Sequence, residues 1–386
     1  MTIKRKINII DTTLRDGEQA PGVVFSMAEK IHICELLDRT GISEVEIGIP
    51  GASEADLKDI TALVNRHFSF KSLVWARCCK KDIDAAILTK ARGVHISMPV
   101  SSIQLNALGK DKHWVQLNLS DLVSYAQNYF EYVTVGAQDA SRADYAFLKS
   151  YIEQSYFLNV SRIRIDDTVG IMNPFSVKNL FEKLIRDFPD MPFEFHGHND
   201  LGMAVANTYT SLLTGAKATS VTVNGLGERA GNAALEEVVM ALELSGKIST
   251  GLKTENFTEL SCFVEKSSGR SLSWSKPVTG RSVLMHESGI HVQALIKDRN
   301  TYQIISPESI GTYEQNYVIG KHSGRAAVDA FFAKMGIFLT PAESNIIVKC
   351  VKEKAVKLKR ALSGEEIINY YRNLKNHRYS KGIPYI

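Results

Sequence analysis

The sequence predicts an α/β fold: a (β/α)8 TIM barrel followed by a smaller, mainly helical C-terminal region. Three observations predict it. Eight short apolar runs alternate with longer stretches of helical period, the pattern of a parallel sheet with crossover helices. The length, 386 residues, exceeds one average domain and suits a large barrel with an addition. After about Thr250 the strand pattern stops. Strand count does not prove closure, so an open doubly wound sheet remains the structural competitor.

The elements follow in order. Ile7 to Ile10 is the first strand. Ser26-Met27-Ala28-Glu29 is a capping box, and the helix it opens runs to about Thr40 and stops near Gly41. Val45 to Ile49 is the second strand, followed by Pro50-Gly51 and a helix through about His67. Leu73 to Ala76, Val94 to Ser97, Tyr132 to Val135, Ile163 to Ile165, Phe193 to His196 and Ser220 to Val223 complete the eight. In the helix after the eighth, Leu235, Val238, Val239 and Leu242 share one face, and Gly246 ends it. The reading is a catalytic barrel over residues 1–255 and helical subdomains over 256–386. Of the latter, 256–320 reads as a linker or lid and 321–386 as helical, with breaks near Ser306-Pro307 and Thr340-Pro341. The basic stretch from Lys349 to Arg360 resembles a nucleic-acid patch. Val351, Ala355 and Leu358 at helical spacing argue instead for the solvated face of a helix.

Apolar residues make up 44% and charged residues 23%, as in a soluble globular enzyme. The net charge of +4 is small for the length and gives no reason to expect nucleic acid as a partner. Cys34, Cys78, Cys79, Cys262 and Cys350 have no framework spacing, which reads as free thiols in a reducing compartment. The apolar run after the basic start is too short for a signal-peptide core, and no stretch is long enough to span a membrane. A cytoplasmic enzyme is expected.

Chemistry concentrates at the strand ends, where barrels of this kind carry their sites. After strand seven comes His196-Gly197-His198. Residues two apart on a strand point to one side, so both imidazoles aim at one place and make half of a divalent-metal site. Two histidines hydrogen-bonded in a polar loop are the alternative. After strand one comes Asp11-Thr12-Thr13-Leu14-Arg15-Asp16-Gly17-Glu18-Gln19, dense with charge, with Asp16 expected on a surface-facing loop. Asp166-Asp167-Thr168 follows strand six, and Asn224 to Asn232 follows strand eight. Four polar clusters at matched ends argue for a site. A carboxylate, two imidazoles and an amide oxygen would hold a divalent ion with open positions, suited to a chelating ligand such as a 2-oxo acid.

The runs Asp11–Gln19, His196–Asp200 and Gly225–Asn232 resemble those of the metal-dependent Claisen-condensing synthases, the family of isopropylmalate, homocitrate and citramalate synthases. The likeness continues through His286–His291 and Gly320–Arg325 and covers nearly the whole chain. Within the family the sequence is similar to the short homocitrate synthases associated with nitrogen fixation, notably in Ser141–Asp144 and Val221–Met240.

The resemblance implies condensation of acetyl-CoA, as co-substrate, with a 2-oxo acid on a divalent metal (Mg, Mn, Zn or Co). Asp16, His196 and His198 match the metal ligands and Asn232 a fourth. Arg15 matches the group that steadies the 2-oxo oxygen as it gains charge, Gln19 lines the site, and Thr168 matches the hydroxyl on the carboxylate. His291 matches a histidine that a partner subunit brings to acetyl-CoA deprotonation, supported by Glu194 and Tyr302; a homodimer is implied. Without the family, His291 reads as a helix-end histidine and Tyr302 as a packing residue. Lysine-pathway relatives grip the distal carboxylate of 2-oxoglutarate with an Arg on strand five, where this sequence has Thr134. Arg77, ending strand three, is the candidate replacement. Gln138 stands where an acid is usual, which bears on acyl-acceptor preference. The loop after strand eight has no Cys, unlike the lyases of the same fold. The sequence lacks the leucine-binding C-terminal domain of typical isopropylmalate synthases, so leucine feedback by that route is not expected.

Overall fold

The computed structural model describes residues 5–312 and 316–380. The chain divides into two compact units, Met1–Leu272 and Ser273–Ile386.

The first unit is a closed barrel of eight parallel strands: β1 (Asn8–Asp11), β2 (Glu44–Glu46), β3 (Lys71–Arg77), β4 (Gly93–Pro99), β5 (Tyr132–Gln138), β6 (Arg162–Asp167), β7 (Phe193–Gly197) and β8 (Ala218–Val221). Closure is direct, because β8 pairs with β1 from Asn8↔Ala218 to Asp11↔Val221. That pairing excludes the open sheet. Between strands run α1 (Met27–Thr40), α2 (Glu54–Val64), α3 (Lys80–Leu88), α4 (Ser102–Ala107), α5 (Lys112–Ala126), α6 (Tyr145–Phe157), α7 (Pro174–Asp187) and α8 (Ala204–Thr214); α9 (Leu235–Ser245) follows β8. The capping box at Ser26 and Glu29 is formed, and Gly41 and Gly246 end α1 and α9 in the left-handed conformation. Only glycine adopts that backbone without a Cβ penalty.

The strands differ from the expected runs in one systematic way. Apolar residues point outward, where Val74, Ile96, Val135, Ile163 and Phe195 pack under the helices. Alternation then turns the intervening residues inward. In β2 and β6 those residues are charged: Glu44 and Glu46, then Arg162, Arg164 and Asp166, all buried. An apolar-run reading therefore cuts β6 to its middle and shifts β2. Val223 belongs to a 3-10 turn rather than to β8, its N–H donating to Thr13 Oγ1 at 2.8 Å.

The barrel interior is a chain of ion pairs. Glu44 accepts from Arg162 at 2.7 Å, and Arg162 donates to Glu194 at 2.5 Å. Glu194 accepts from Arg164 at 2.5 Å, and Arg164 donates to Glu46 at 2.7 Å. Glu46 also holds Arg15, which donates to Asp16 at 2.7 Å. Barrel interiors are more often filled by branched aliphatics.

The first unit extends past the expected boundary at 255. Helix α10 (Phe257–Ser268) belongs to it, because Phe257, Leu260 and Val264 join the barrel's core and the helix packs on α1. The second unit holds α11 (Gly289–Lys297), α12 (Arg325–Ala333), α13 (Pro341–Leu358) and α14 (Gly364–Ser380). Its core gathers Val328, Phe332, Ile347, Val351, Ala355 and Ile367. Lys352, Lys354 and Lys357 lie on the exposed side of α13. Leu358, expected inward, is 40% exposed because α13 ends there. All five cysteines are free. Among the described residues no helix is long and apolar enough to cross a membrane.

Candidate active site

The turn after β1 is built around Asp11, which accepts from the N–H and hydroxyl of Thr13, each at 2.9 Å. The N–H groups of Arg15 and Asp16 donate back to Thr12 O. This folding carries Arg15 and Asp16 into the barrel mouth and buries both; Asp16 is 3% exposed, not surface-facing as expected. From the other side β7 delivers His196, and His198 follows in a bridge to Asn232. The bridge needs a tight turn before it, and Gly231 sits there at φ +85°, where a Cβ would lie 2.0 Å from Gly225 O.

Three ligand atoms converge. Nε2 of His196 lies 3.3 Å from Nε2 of His198 and 3.3 Å from Asp16 Oδ2, and His198 Nε2 lies 4.0 Å from the same oxygen. Ligands about 2.1 Å from a common cation stand about 3.0–3.4 Å apart when adjacent and about 4.2 Å when opposite, so the spacing fits one divalent ion. No other group of three or more such side chains among the described residues offers this. Asn232 joins through Nδ2, donating to Asp16 Oδ1 at 2.8 Å, and its buried Oδ1 has no partner.

Electrostatics favour the metal-ready forms. Burial lowers the His198 pKa to about 4, helped by His196, so its ring is neutral at pH 7. Burial works against ionisation of Asp16, but Arg15 and His196 outweigh it and hold the carboxyl well below its usual range. Burial pushes Asp166 up to about 7.

A cavity of about 220 Å³ opens over these atoms. Among the expected residues, Arg15, Asp16, Gln19, Gln138, Thr168, His196 and His198 line it. Thr168 Oγ1 accepts from the Asp139 N–H at 2.8 Å, leaving its own proton to donate. The lining adds Asp166, Glu228 and Arg229 from the strand-end clusters, and Trp75, Ser97 and Arg164 from outside them. The alternation Arg162-Ile163-Arg164-Ile165-Asp166 was the available signal.

Three expected residues of the barrel unit stand elsewhere, and two more belong to the second unit. Arg77 is not in the lining; its side chain is 58% exposed and donates to Asp82 at 2.8 and 2.9 Å. Thr134 is fully buried and hydrogen-bonded to His95 Nδ1 at 2.9 Å. Glu194 sits in the ion chain rather than in the lining, bound by Arg162, Arg164 and Ser220. His291 and Tyr302 belong to the second unit, where their rings stack at 4.0 Å and both are exposed.

Residues 6–264 match the HMGL-like family, and residues 278–359 match the homocitrate synthase post-HMGL domain-like family. The chain is 40% identical over 371 residues to 2-isopropylmalate synthase 2 of Caldanaerobacter subterraneus subsp. tengcongensis, covering 96% of each. It is also 40% identical over 376 residues to homocitrate synthase 1 of Nostoc sp., covering 97% of this chain and 98% of that one. The Bacillus subtilis HMG-CoA lyase structure superposes with a TM-score of 0.63 at 23% identity, over 70% of this chain and 97% of that one, a likeness of fold alone. The chain therefore belongs to the HMGL-like family and is an enzyme of its homocitrate, isopropylmalate and citramalate synthase group.

Proposed function

We propose that this enzyme condenses acetyl-CoA with 2-oxoglutarate, giving homocitrate and CoA. The carrying observation is the cavity wall. A three-ligand metal cluster lies beside Arg15, and Trp75 is the single apolar side chain in the lining. Beyond Arg15 the wall carries two more guanidinium groups, Arg164 and Arg229, which a second carboxylate can meet and a branched alkyl tail cannot. A tail ending in a carboxylate suits the same wall. The resemblance to nitrogen-fixation homocitrate synthases points the same way.

A divalent ion on Asp16, His196 and His198, with Asn232 beside it, would supply Lewis-acid polarisation of the ketone. The chain's own groups do the rest. Arg15, fixed between Glu46 and Asp16, presents a cation where the keto oxygen gains charge. Thr168 donates to the 2-oxo acid's carboxylate. His291, from a partner subunit in a homodimer and with Tyr302 stacked on it, takes a proton from the acetyl methyl. The methyl carbon then bonds to the keto carbon, and water cleaves the thioester C–S bond, releasing CoA as the thiol. Glu194 acts from below, by holding Arg164.

The test is release of free CoA, read with a thiol reagent, against 2-oxoglutarate, 2-oxoisovalerate, pyruvate and oxaloacetate with a divalent metal. Turnover of 2-oxoglutarate is expected. If 2-oxoglutarate is ignored while 2-oxoisovalerate or pyruvate reacts, the substrate assignment is wrong; the equal identity to a 2-isopropylmalate synthase makes 2-oxoisovalerate the chief competitor.

A further inference from the structure

We infer that Arg164 on β6, with Ser97 and His95 on β4, forms the subsite that reads the far end of the 2-oxo acid, and that this subsite selects a second carboxylate. The inference rests on the reaction proposed above and adds which residues set its substrate class.

Arg164 is 1% exposed yet lines the cavity. Its Nε donates to Glu194 and its Nη2 to Glu46, and Nη1 makes no hydrogen bond among the described residues. Two carboxylates thus clamp the guanidinium plane by two of its nitrogens and leave the third for a ligand. A guanidinium held in advance loses little freedom when its one open nitrogen donates to a carboxylate. Glu46 and Glu194 are each shared with a second arginine, Arg15 and Arg162 respectively. Neither carboxylate is therefore spent on Arg164 alone.

The register puts the rest of the subsite beside it. Ser97, Gly136 and Arg164 are direct neighbours across β4, β5 and β6. The middle residue has no side chain, and the space a Cβ would take is held by His95 and Asp166. A Cβ at Gly136 would stand 2.7 Å from His95 Nε2 and 3.2 Å from Asp166 Oδ2. His95 is fully buried and its Nε2 has no partner. Thr134 Oγ1 pairs with Nδ1 at 2.9 Å; in the tautomer where the hydroxyl donates, the ring proton sits on Nε2 as a donor beside Gly136. A buried donor without an acceptor costs free energy until a ligand supplies one. Thr134 thus reaches this place only through its contact with His95, and the cation comes from the next strand.

The experiment compares kcat/KM for 2-oxoglutarate, for 2-oxoglutaramate (the same length with the far carboxylate made an amide) and for 2-oxobutyrate. Wild type is expected to prefer the acid to its amide by about 100-fold, the scale of a buried charged hydrogen bond. Arg164→Gln is expected to lower the ratio of 2-oxoglutarate to 2-oxobutyrate about 100-fold, whatever happens to absolute rates. Should Arg164→Gln fail to fold, Gly136→Ala pushes His95 and Asp166 aside and is expected to lower the same ratio about 10-fold, with the KM for acetyl-CoA as the control for general damage. Equal use of acid and amide by wild type, or an unchanged ratio in a folded variant, overturns the subsite. Turnover of monocarboxylates alone also overturns it while leaving the condensation standing. No CoA release with any 2-oxo acid overturns the condensation itself.

Discussion

Asn232 donates through Nδ2 to Oδ1 of Asp16 at 2.8 Å, while its buried carbonyl oxygen accepts nothing. The amide therefore orients the carboxylate that faces the two imidazoles. Asn232→Ala is expected to weaken divalent-metal affinity about 10–100-fold, the usual cost of losing such an orienting partner. Asp16→Ala is expected to abolish turnover and metal binding together. Calorimetric metal titration checks both; wild-type affinity in either variant would remove that residue from the site.

Gly227 tests the same geometry without touching a ligand. A Cβ there would lie 2.2 Å from Asn232 Nδ2 and 3.1 Å from Asp16 Oδ1. Gly227→Ala must displace the amide, so a drop in metal affinity of about tenfold is expected. Titration of this variant at unchanged thermal stability reads the effect; no change would mean that Asn232 can move without disturbing Asp16.

Arg77 makes the opposite prediction. Its guanidinium is held by Asp82, on the helix that follows β3, and stands outside the cavity lining. Arg77→Gln is expected to leave the KM for 2-oxoglutarate within about twofold, because the side chain lies outside the cavity lining. A tenfold rise would return Arg77 to the substrate site.

The ion chain gives the barrel a pH dependence. Burial alone would raise Glu46 and Glu194, but the arginines on either side lower both from 4.5 to about 2. A carboxyl whose folded pKa is depressed adds stability above its unfolded value. That contribution is lost as pH falls from about 4.5 towards 2. Urea midpoints measured across this window are expected to fall steeply. Glu46→Gln is expected to cost about 3–5 kcal/mol at pH 7, since it half-strands both Arg15 and Arg164, and to flatten the acid slope. A midpoint independent of pH would contradict the pairing.

If His291 acts across a dimer, two inactive chains should repair one another. Mixing His291→Ala with Asp16→Ala under conditions of subunit exchange is expected to restore up to about a quarter of wild-type turnover, from one intact site in each mixed dimer. Absence of any recovery in confirmed mixed dimers would place His291 and the metal in the same chain.

The outward half of this barrel was legible in its sequence because outward residues are apolar and sit under helices. Val94, Ile96, Val133, Val135, Ile163 and Phe195 fall where a periodic reading puts them. The convergence of Asp16, His196 and His198, a candidate metal site, was legible because they sit in dense local motifs at strand ends. What escaped were residues whose role depends on strand register. Arg164 becomes meaningful once β5 and β6 align it with Gly136, and Ser97 once β4 does the same. Arg77 was proposed because it ends a strand. Its partner Asp82, on the next helix, decided otherwise, and strand position alone carries no information about that pairing. Helix α10 joins the barrel's core beyond the expected boundary at 255, because its apolar face, led by Leu260 and Val264, does not say which core it will join.

A barrel filled with linked charges constrains its own divergence. Where aliphatic side chains plug the centre, one can be exchanged for another of similar volume with modest loss. Here Glu44, Arg162, Glu194, Arg164, Glu46 and Arg15 are joined end to end. Replacing one leaves an odd charge sealed in the middle of the protein. Descendants of this enzyme that change their acceptor must therefore rewrite opposite charges in matched pairs, and directed-evolution libraries that vary single interior positions should recover few folded members.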